Sequence, residues 1–331
     1  MMMRLTQLMM TGAAAWSLTS CANQGVVRAI PVAPNTSTTQ YLAQGDGYPH
    51  VVTVMMPMLV ASSGPSIRAE SYLLLDARTG QHLAGRSFET TRGVASTQKL
   101  VTALVVLDAG NLDKMVRVTA ADVNVEPTRL GLKPGESYSR RMLLYAFLVK
   151  SANDVANVLA RDNAGSISAF ATKMNVKARA LGCTNSNFRN PHGLTASGQH
   201  STARDMARVA MSAYGNGVIR DVVRRKYYTF QRADGRAVTL KNTNDLLGVM
   251  PECNGMKTGY TVASGRCLVS TAASGGREVI LVQLGTKTKY IWDDARTMMS
   301  WGLQRLRSRG GVAATWPPDK MAEPQVAVQR S

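Results

Sequence analysis

Apolar and polar positions along this chain change their rhythm several times, and each change marks a boundary. Leu8–Leu18 is a short, largely apolar run behind Arg4, diluted by Thr11, Gly12 and Ser17. It is too short to span a bilayer as a stable helix and has the shape of a secretory signal, so residues 1–20 read as a signal peptide. From Ala22 to His50, Pro, Thr, Gln, Gly and Asn mix without any period. Residues 21–65 therefore read as a tether, within which Val51–Val60, broken by Pro57, is expected to dock as a strand. From about Ile67 the pattern sharpens. Ser71–Asp76 predicts a buried strand, Ala77–Gly80 a turn and Gln81–Gly85 the start of a return strand. Helical spacing begins near Ser96, runs through Leu100, Ala103, Leu104 and Leu107, and stops at Gly110.

A helical block follows. Arg141–Val149 is apolar enough for a buried helix, Ser151–Asp154 breaks it, and Val155–Arg161 restarts the spacing. Ser166–Leu181 predicts a helix closed by Gly182, and Thr202–Tyr214 another, capped by Ser201 or Thr202 with Asp205 in its first turn. Strand patterns return at Lys226–Arg232, Ala237–Lys241, Asn254–Tyr260, Arg266–Ala272 and Glu278–Leu284, the last two joined by a hairpin loop over 273–276. Tyr290–Leu306 closes the sequence of elements as a helix. The stretch from Gly310, with Pro317-Pro318, has no period, and residues 309–331 are expected to be an unstructured tail. This order predicts one α/β (α+β) domain over residues 66–308. Its antiparallel sheet is built by N- and C-terminal segments together, flanked by helices, with a mainly helical insertion.

The chain has 331 residues, 45% hydrophobic and 18% charged, which excludes global disorder. Its formal net charge of +18 suits anionic surroundings. The arginines are scattered, however, and aromatics make up only 6%. No stripe of basic and aromatic residues tracks a single strand, so nucleic acid is not an expected partner. His50, His82, His192 and His200 lack metal-binding spacing and no Cys-x-x-Cys occurs; no metal and no cofactor is expected. Leu18-Thr19-Ser20-Cys21 resembles a bacterial lipobox. The resemblance implies cleavage before Cys21 and acylation of that residue, each buried methylene adding about 0.8 kcal/mol to membrane anchoring. Export permits disulfides. Cys253 and Cys267 flank a predicted hairpin, so they form either a cross-strand bridge or two buried thiols, with Cys183 unpaired.

The chemistry concentrates at Ser96-Thr97-Gln98-Lys99. A serine and a lysine three apart on a helix share one face, which sets an amine beside a hydroxyl. That is one way to make serine nucleophilic without a histidine. Alone, Ser-x-x-Lys is commonly solvated surface, Ser-Ala-Asn a helix cap and Lys-Thr-Gly a strand end. Here Ser151-Ala152-Asn153 and Lys257-Thr258-Gly259 follow in the order that a serine acyl-transfer site requires.

These three segments resemble the signatures of penicillin-binding serine peptidases, most closely the low-molecular-mass D-alanyl-D-alanine carboxypeptidases. Asn190–Leu194, Ser201–Met206 and Asn242–Leu247 extend the likeness to roughly residues 67–305. The resemblance implies a β-lactamase/transpeptidase-like fold, with peptidoglycan stem peptides and β-lactams as partners. It implies Ser96 as nucleophile, Lys99 as base, Ser151 as proton relay and Asn153 as holder of a substrate amide. Lys257 and Thr258 would take the terminal carboxylate, Gly259 would let a substrate strand approach, and the N–H groups of Ser96 and Tyr260 would form the oxyanion hole. A lysine near its reference pKa of about 10.4 is protonated at neutral pH. Lys99 must therefore be desolvated or set beside a second cation, for which Lys257 is the candidate.

Two positions depart from the pattern. Tyr260 stands where several relatives carry histidine, and Thr243 where some carry arginine near the substrate carboxylate. After the last predicted helix about 25 residues remain, too few for the C-terminal β-domain of some members. Gly193–His200 contains no acid to activate a deacylating water, which argues against a β-lactamase. The expectation is an exported D,D-carboxypeptidase, lipid-anchored at the periplasmic face of a bacterial membrane. A D,D-endopeptidase on cross-links, or a β-lactam sensor that stays acylated, uses the same groups.

Overall fold

The computed structural model describes residues 64–308. In chain order the elements are β1 (Ser71–Asp76), β2 (His82–Arg86), α1 (Lys99–Asp108), β3 (Met115–Arg117), α2 (Ala120–Val123), β4 (Ser137–Ser139), α3 (Arg140–Lys150), α4 (Asn153–Ala164) and α5 (Ile167–Ala180). Then come α6 (Ala203–Gly215), α7 (Gly217–Val223), β5 (Tyr227–Gln231), β6 (Ala237–Lys241), β7 (Cys253–Thr261), β8 (Gly265–Ser274), β9 (Arg277–Thr286) and α8 (Ile291–Ser308).

Five strands form one antiparallel sheet in the order β2-β1-β9-β8-β7. The N-terminal pair thus completes a sheet begun by the C-terminal three, as the sequence predicts. β1 is apolar at successive positions because both its faces are covered. Leu73 and Leu75 join the core under the helical block, while Tyr72 and Leu74 join a second core under α8. On α8, Ile291, Ala295, Met298, Met299, Leu303 and Leu306 repeat at helical spacing and pack on that second face. β8 and β9 are joined by Gly275 and Gly276 with φ of 57° and 69°, the left-handed pair that a two-residue hairpin demands.

The helical block packs on the opposite face. α1 is buried from Lys99 to Val106, as expected of a helix that is apolar all round. Thr202 caps α6, its Oγ1 accepting from Asp205 N at 3.0 Å. At the edge of the sheet, β7 is hydrogen-bonded to β8 alone, which leaves a row of main-chain groups open beside the helical block.

The structure corrects several expectations. The helix expected from Ser96 starts as a tight 3-10 turn over Ala95–Gln98, and α1 proper begins at Lys99. β5 and β6 pair with each other as a separate two-stranded sheet instead of extending the main one. α7 and the β3–β4 pair were not anticipated; each is too short to show a period. The bridge between Cys253 and Cys267 does not form: both are free and buried, like Cys183. The cause is register. Cys253 lies opposite Ala272 and Cys267 opposite Gly259, roughly 15–20 Å apart along the hairpin by strand rise. A disulfide spans less than about 7 Å between Cα atoms. The signal peptide, Cys21, the tether with Val51–Val60 and the tail from residue 309 lie outside the described residues.

Candidate active site

The loop before α1 brings Ser96 to the surface of the core in a strained turn. Ala95 has φ 46°, a left-handed conformation that costs a non-glycine residue about 1 kcal/mol or more. Thr97 locks the turn, its N–H and its hydroxyl both donating to Val94 O at 3.2 and 2.6 Å. Two glycines press on it. A Cβ at Gly193 would lie 2.1 Å from Ala95 O, and one at Gly259 would lie 2.7 Å from Ser96 N. Gly259, expected to admit a substrate strand, here brings the backbone of β7 against the nucleophile's own N–H. Gly193 was missed as a contact, and its φ of 90° admits no side chain easily. Gly193→Ala is expected to push the turn aside and slow penicillin acylation by about 100-fold, the size of effect that misplacing a reacting group by 1 Å produces. Acylation kinetics on the folded variant test this.

Ser96 and Lys99 are joined directly, with Lys99 Nζ 2.7 Å from Ser96 Oγ. The amine has two further neighbours, Asn153 Oδ1 at 2.8 Å and His192 O at 2.6 Å. Both oxygens only accept: His192 O is a carbonyl, and Asn153 is oriented by its Nδ2 donating to Pro127 O at 2.6 Å. Lys99 Nζ donates to Ser96 Oγ, and the Ser96 hydroxyl itself donates to His192 O at 3.1 Å. Once the amine is neutral, its two N–H bonds can stay with Asn153 Oδ1 and His192 O, and its lone pair faces the Ser96 hydroxyl.

Charge supports the same assignment. Lys99 is fully buried, and burial holds its pKa well below the usual lysine range, with the nearby charge of Lys257 pushing the same way. Lys257, also buried, is lowered by desolvation to about 7. Both routes open to Lys99 from its sequence position are thus in place. His192 is held neutral, its pKa lowered by burial and then by Lys99 to about 3. Its Nδ1 accepts from Leu194 N at 3.2 Å, so the ring is not the base. It is the main-chain oxygen of His192 that reaches the amine.

The remaining predicted residues lie at the α3–α4 junction and on β7. Ser151 closes α3 in a left-handed conformation with φ 64°, and Asn153 opens α4 two residues later. Among the described residues no hydrogen bond joins Ser151 Oγ to Lys99 or Ser96. Lys257 Nζ donates to Thr258 O at 3.0 Å. Thr258 Oγ1 donates to Thr243 Oγ1 at 2.6 Å, so the residue standing where some relatives carry arginine meets the predicted carboxylate site as a hydroxyl. Tyr260 is 52% exposed beyond it.

Two supports were missed. Asp154, fully buried, accepts from the N–H groups of Leu130, Gly131 and Leu132 at 2.9, 2.9 and 3.2 Å. Arg232, on the turn after β5, donates to Leu130 O at 2.7 Å and Gly131 O at 3.1 Å. Together they clamp the loop whose Pro127 and Thr128 carbonyls accept from Asn153. The second support is Asn190. Its Oδ1 accepts from Gly193 N at 2.8 Å, and its own carbonyl accepts from Gln98 Nε2 at 2.6 Å. This ties the His192 turn to the nucleophile turn. A carboxylate directly after Ser-Ala-Asn was a readable signal for Asp154; a carbonyl acting through its main chain left none for His192. Among the described residues no group of three metal-binding side chains occurs.

Comparison with known proteins places this geometry. A model of the D-alanyl-D-alanine carboxypeptidase family matches residues 58–288. The D-alanyl-D-alanine carboxypeptidase DacB2 of Mycobacterium tuberculosis is 36% identical over 244 residues, covering 72% of this chain and 83% of that protein. DacC of Escherichia coli is 33% identical over 259 residues, covering 72% of this chain and 62% of that longer protein. The solved DD-transpeptidase of Streptomyces K15 shares the fold with a TM-score of 0.70 at 32% identity, covering 73% of this chain and all of that one. The match takes in the turn of Ser96, the α3–α4 junction and strand β7 alike, and the chain belongs to the D-alanyl-D-alanine carboxypeptidase family.

Proposed function

We propose that Ser96 is the nucleophile of this serine D-Ala-D-Ala carboxypeptidase and Lys99 its base. The observation that carries the reading is the 2.7 Å contact between Lys99 Nζ and Ser96 Oγ, with the amine's other two positions taken by groups that only accept. A stem peptide ending in D-Ala-D-Ala adds beside β7 through main-chain hydrogen bonds. Its terminal carboxylate meets Lys257 and Thr258. Ser96 gives its proton to Lys99 and attacks the carbonyl between the two alanines. The oxyanion that develops is held by the N–H groups of Ser96 and Tyr260, each worth about 2.7–4 kcal/mol in such sites. Collapse breaks the C–N bond, and the departing D-alanine takes a proton from Lys99 relayed by Ser151. Water, deprotonated by the same amine, then hydrolyses the ester and frees Ser96. Asn153 is engaged at both ends of its amide, so it takes a substrate N–H on the second lone pair of Oδ1 while still holding Lys99. Penicillin acylates Ser96 by the same first step and needs no cofactor.

The protein is proposed to act outside the cytoplasm, held by lipid on Cys21 at the periplasmic face. Among the described residues no helix is long and apolar enough to cross a membrane. Intact-protein mass spectrometry after penicillin treatment tests both claims. An adduct of one penicillin and a lipidated Cys21 are expected, and Ser96→Ala is expected to abolish the adduct; an adduct surviving in that variant places the nucleophile elsewhere. Release of D-alanine from a small peptide separates a carboxypeptidase from an endopeptidase or a sensor that stays acylated.

A further inference from the structure

The rim of β7 carries a feature that the catalytic chemistry leaves unused. Side chains alternate along this strand. Gly259 faces the nucleophile turn and Lys257, two residues before it, is buried on the same side. Tyr260 therefore faces the other way, while the Thr258 hydroxyl lies against Thr243 Oγ1 at the carboxylate site. A peptide added along the open edge shares this pleat, so half of its side chains enter the cleft and half stand beside the Tyr260 face.

That face is a strip of cations laid on aromatic rings. Arg266 lies directly across the hairpin from Tyr260, its guanidinium carbon 4.8 Å from the centre of the tyrosine ring. Arg266 Nε donates to Thr288 Oγ1 at 3.2 Å. Next to Thr288, Lys289 Nζ is 4.8 Å from the Tyr290 ring centre, and the guanidinium of Arg68 is 4.2 Å from the same ring. Asp294 pairs with Arg68 at 3.3 Å. Among the described residues no carboxylate pairs with Arg266 or Lys289, although other arginines of this domain, such as Arg140, Arg161 and Arg208, are paired. With Nε given to Thr288, Arg266 keeps its two terminal nitrogens for a planar, two-oxygen acceptor while its guanidinium stands over the Tyr260 ring.

We propose that this strip is a subsite for carboxylates carried by the substrate peptide upstream of its terminal D-alanine pair. The inference rests on the carboxypeptidase reading of the site and adds to it a selected substrate class: acidic stem peptides over their amidated counterparts.

The test uses two peptides ending in D-Ala-D-Ala, identical except that one carries a free carboxylate upstream and the other a carboxamide there. Each is assayed as a substrate and as a competitor of penicillin labelling of the full-length protein. The wild type is expected to favour the carboxylate peptide by roughly tenfold, the scale of one charge-assisted hydrogen bond. The preference should fade at about 0.5 M salt. Arg266→Gln and Lys289→Gln, singly and together, should reduce it to below about twofold while penicillin labelling stays at the wild-type rate. No preference in the wild type, or one unchanged in the double variant, overturns the proposal. So does loss of binding to anionic lipid vesicles in the variants with peptide preference intact, which makes the strip a membrane surface. Carboxylate-dependent competition without turnover would sink the carboxypeptidase reading and spare the subsite; turnover of both peptides alike would do the reverse.

Discussion

Lys99→Met is expected to acylate with penicillin about 10²–10⁴-fold more slowly than the wild type, the range removed with a positioned general base. The variant should still fold, because an unbranched apolar chain replaces a fully buried one. Lys99→Arg should be as inactive and less stable. A guanidinium stays protonated at any working pH, so it cannot take the Ser96 proton, and it would set a permanent buried charge near Lys257. Stopped-flow acylation and thermal unfolding of the two variants separate these effects. An arginine variant that acylates at near the wild-type rate would show that the residue serves as a cation and not as a base, and would end this mechanism.

The second large effect concerns Lys257, and it runs in opposite directions for activity and for stability. Its pKa is lowered by burial to about 7. The carboxylate of the substrate needs this amine charged, so kcat/KM should fall on the alkaline side with a midpoint near pH 7. Lys257→Arg, which keeps its charge, should lose the alkaline limb. For stability, an amine whose folded pKa lies below its unfolded value of about 10.4 binds fewer protons in the native state than in the unfolded one. The cost of burying it is fully present below about pH 7, and stability climbs as pH rises from there toward the unfolded value. Lys257→Met should therefore be more stable than the wild type at neutral pH, on the order of a few kcal/mol before the lost hydrogen bond to Thr258 O is counted. Its stability should also depend less on pH between 7 and 10. The same variant should acylate much more slowly. A Lys257→Met protein with unaltered melting behaviour and an unaltered pH–rate profile would mean that this amine is neither buried uncharged nor part of the site.

Most of the domain can be read from periodicity because its elements are either long or apolar on every side. α1 is apolar all round, α8 shows its one apolar face plainly, and the paired glycines at 275 and 276 mark the hairpin between β8 and β9. What stays hidden is register and partner choice. The hairpin around Cys253 and Cys267 is visible, yet which residue faces which is set by the turn length at 262–264 and the shift near Cys253, not by the spacing of two cysteines. β5 and β6 read as strands, but nothing local says that they pair only with each other. At the site, motif residues announce the side chains that carry chemistry. The atoms that fix them do not announce themselves: the His192 carbonyl, the backbone caught by Asp154, and the two glycines folded against Ser96. These contacts join segments from 22 residues apart at Asp154 to 93 at the His192 carbonyl and more at the glycines, and act through the main chain, where any residue type supplies the same atom.

The protonation state of Lys99 in the resting protein is the most direct test of the whole account. NMR of protein labelled with 13C at the lysine ε-carbons, assigned with Lys99→Met, reads it without substrate or turnover. An amine that titrates well below the usual lysine range is the result predicted here. A Lys99 that remains an ammonium through pH 9 would contradict it, since no lone pair would then await the Ser96 proton.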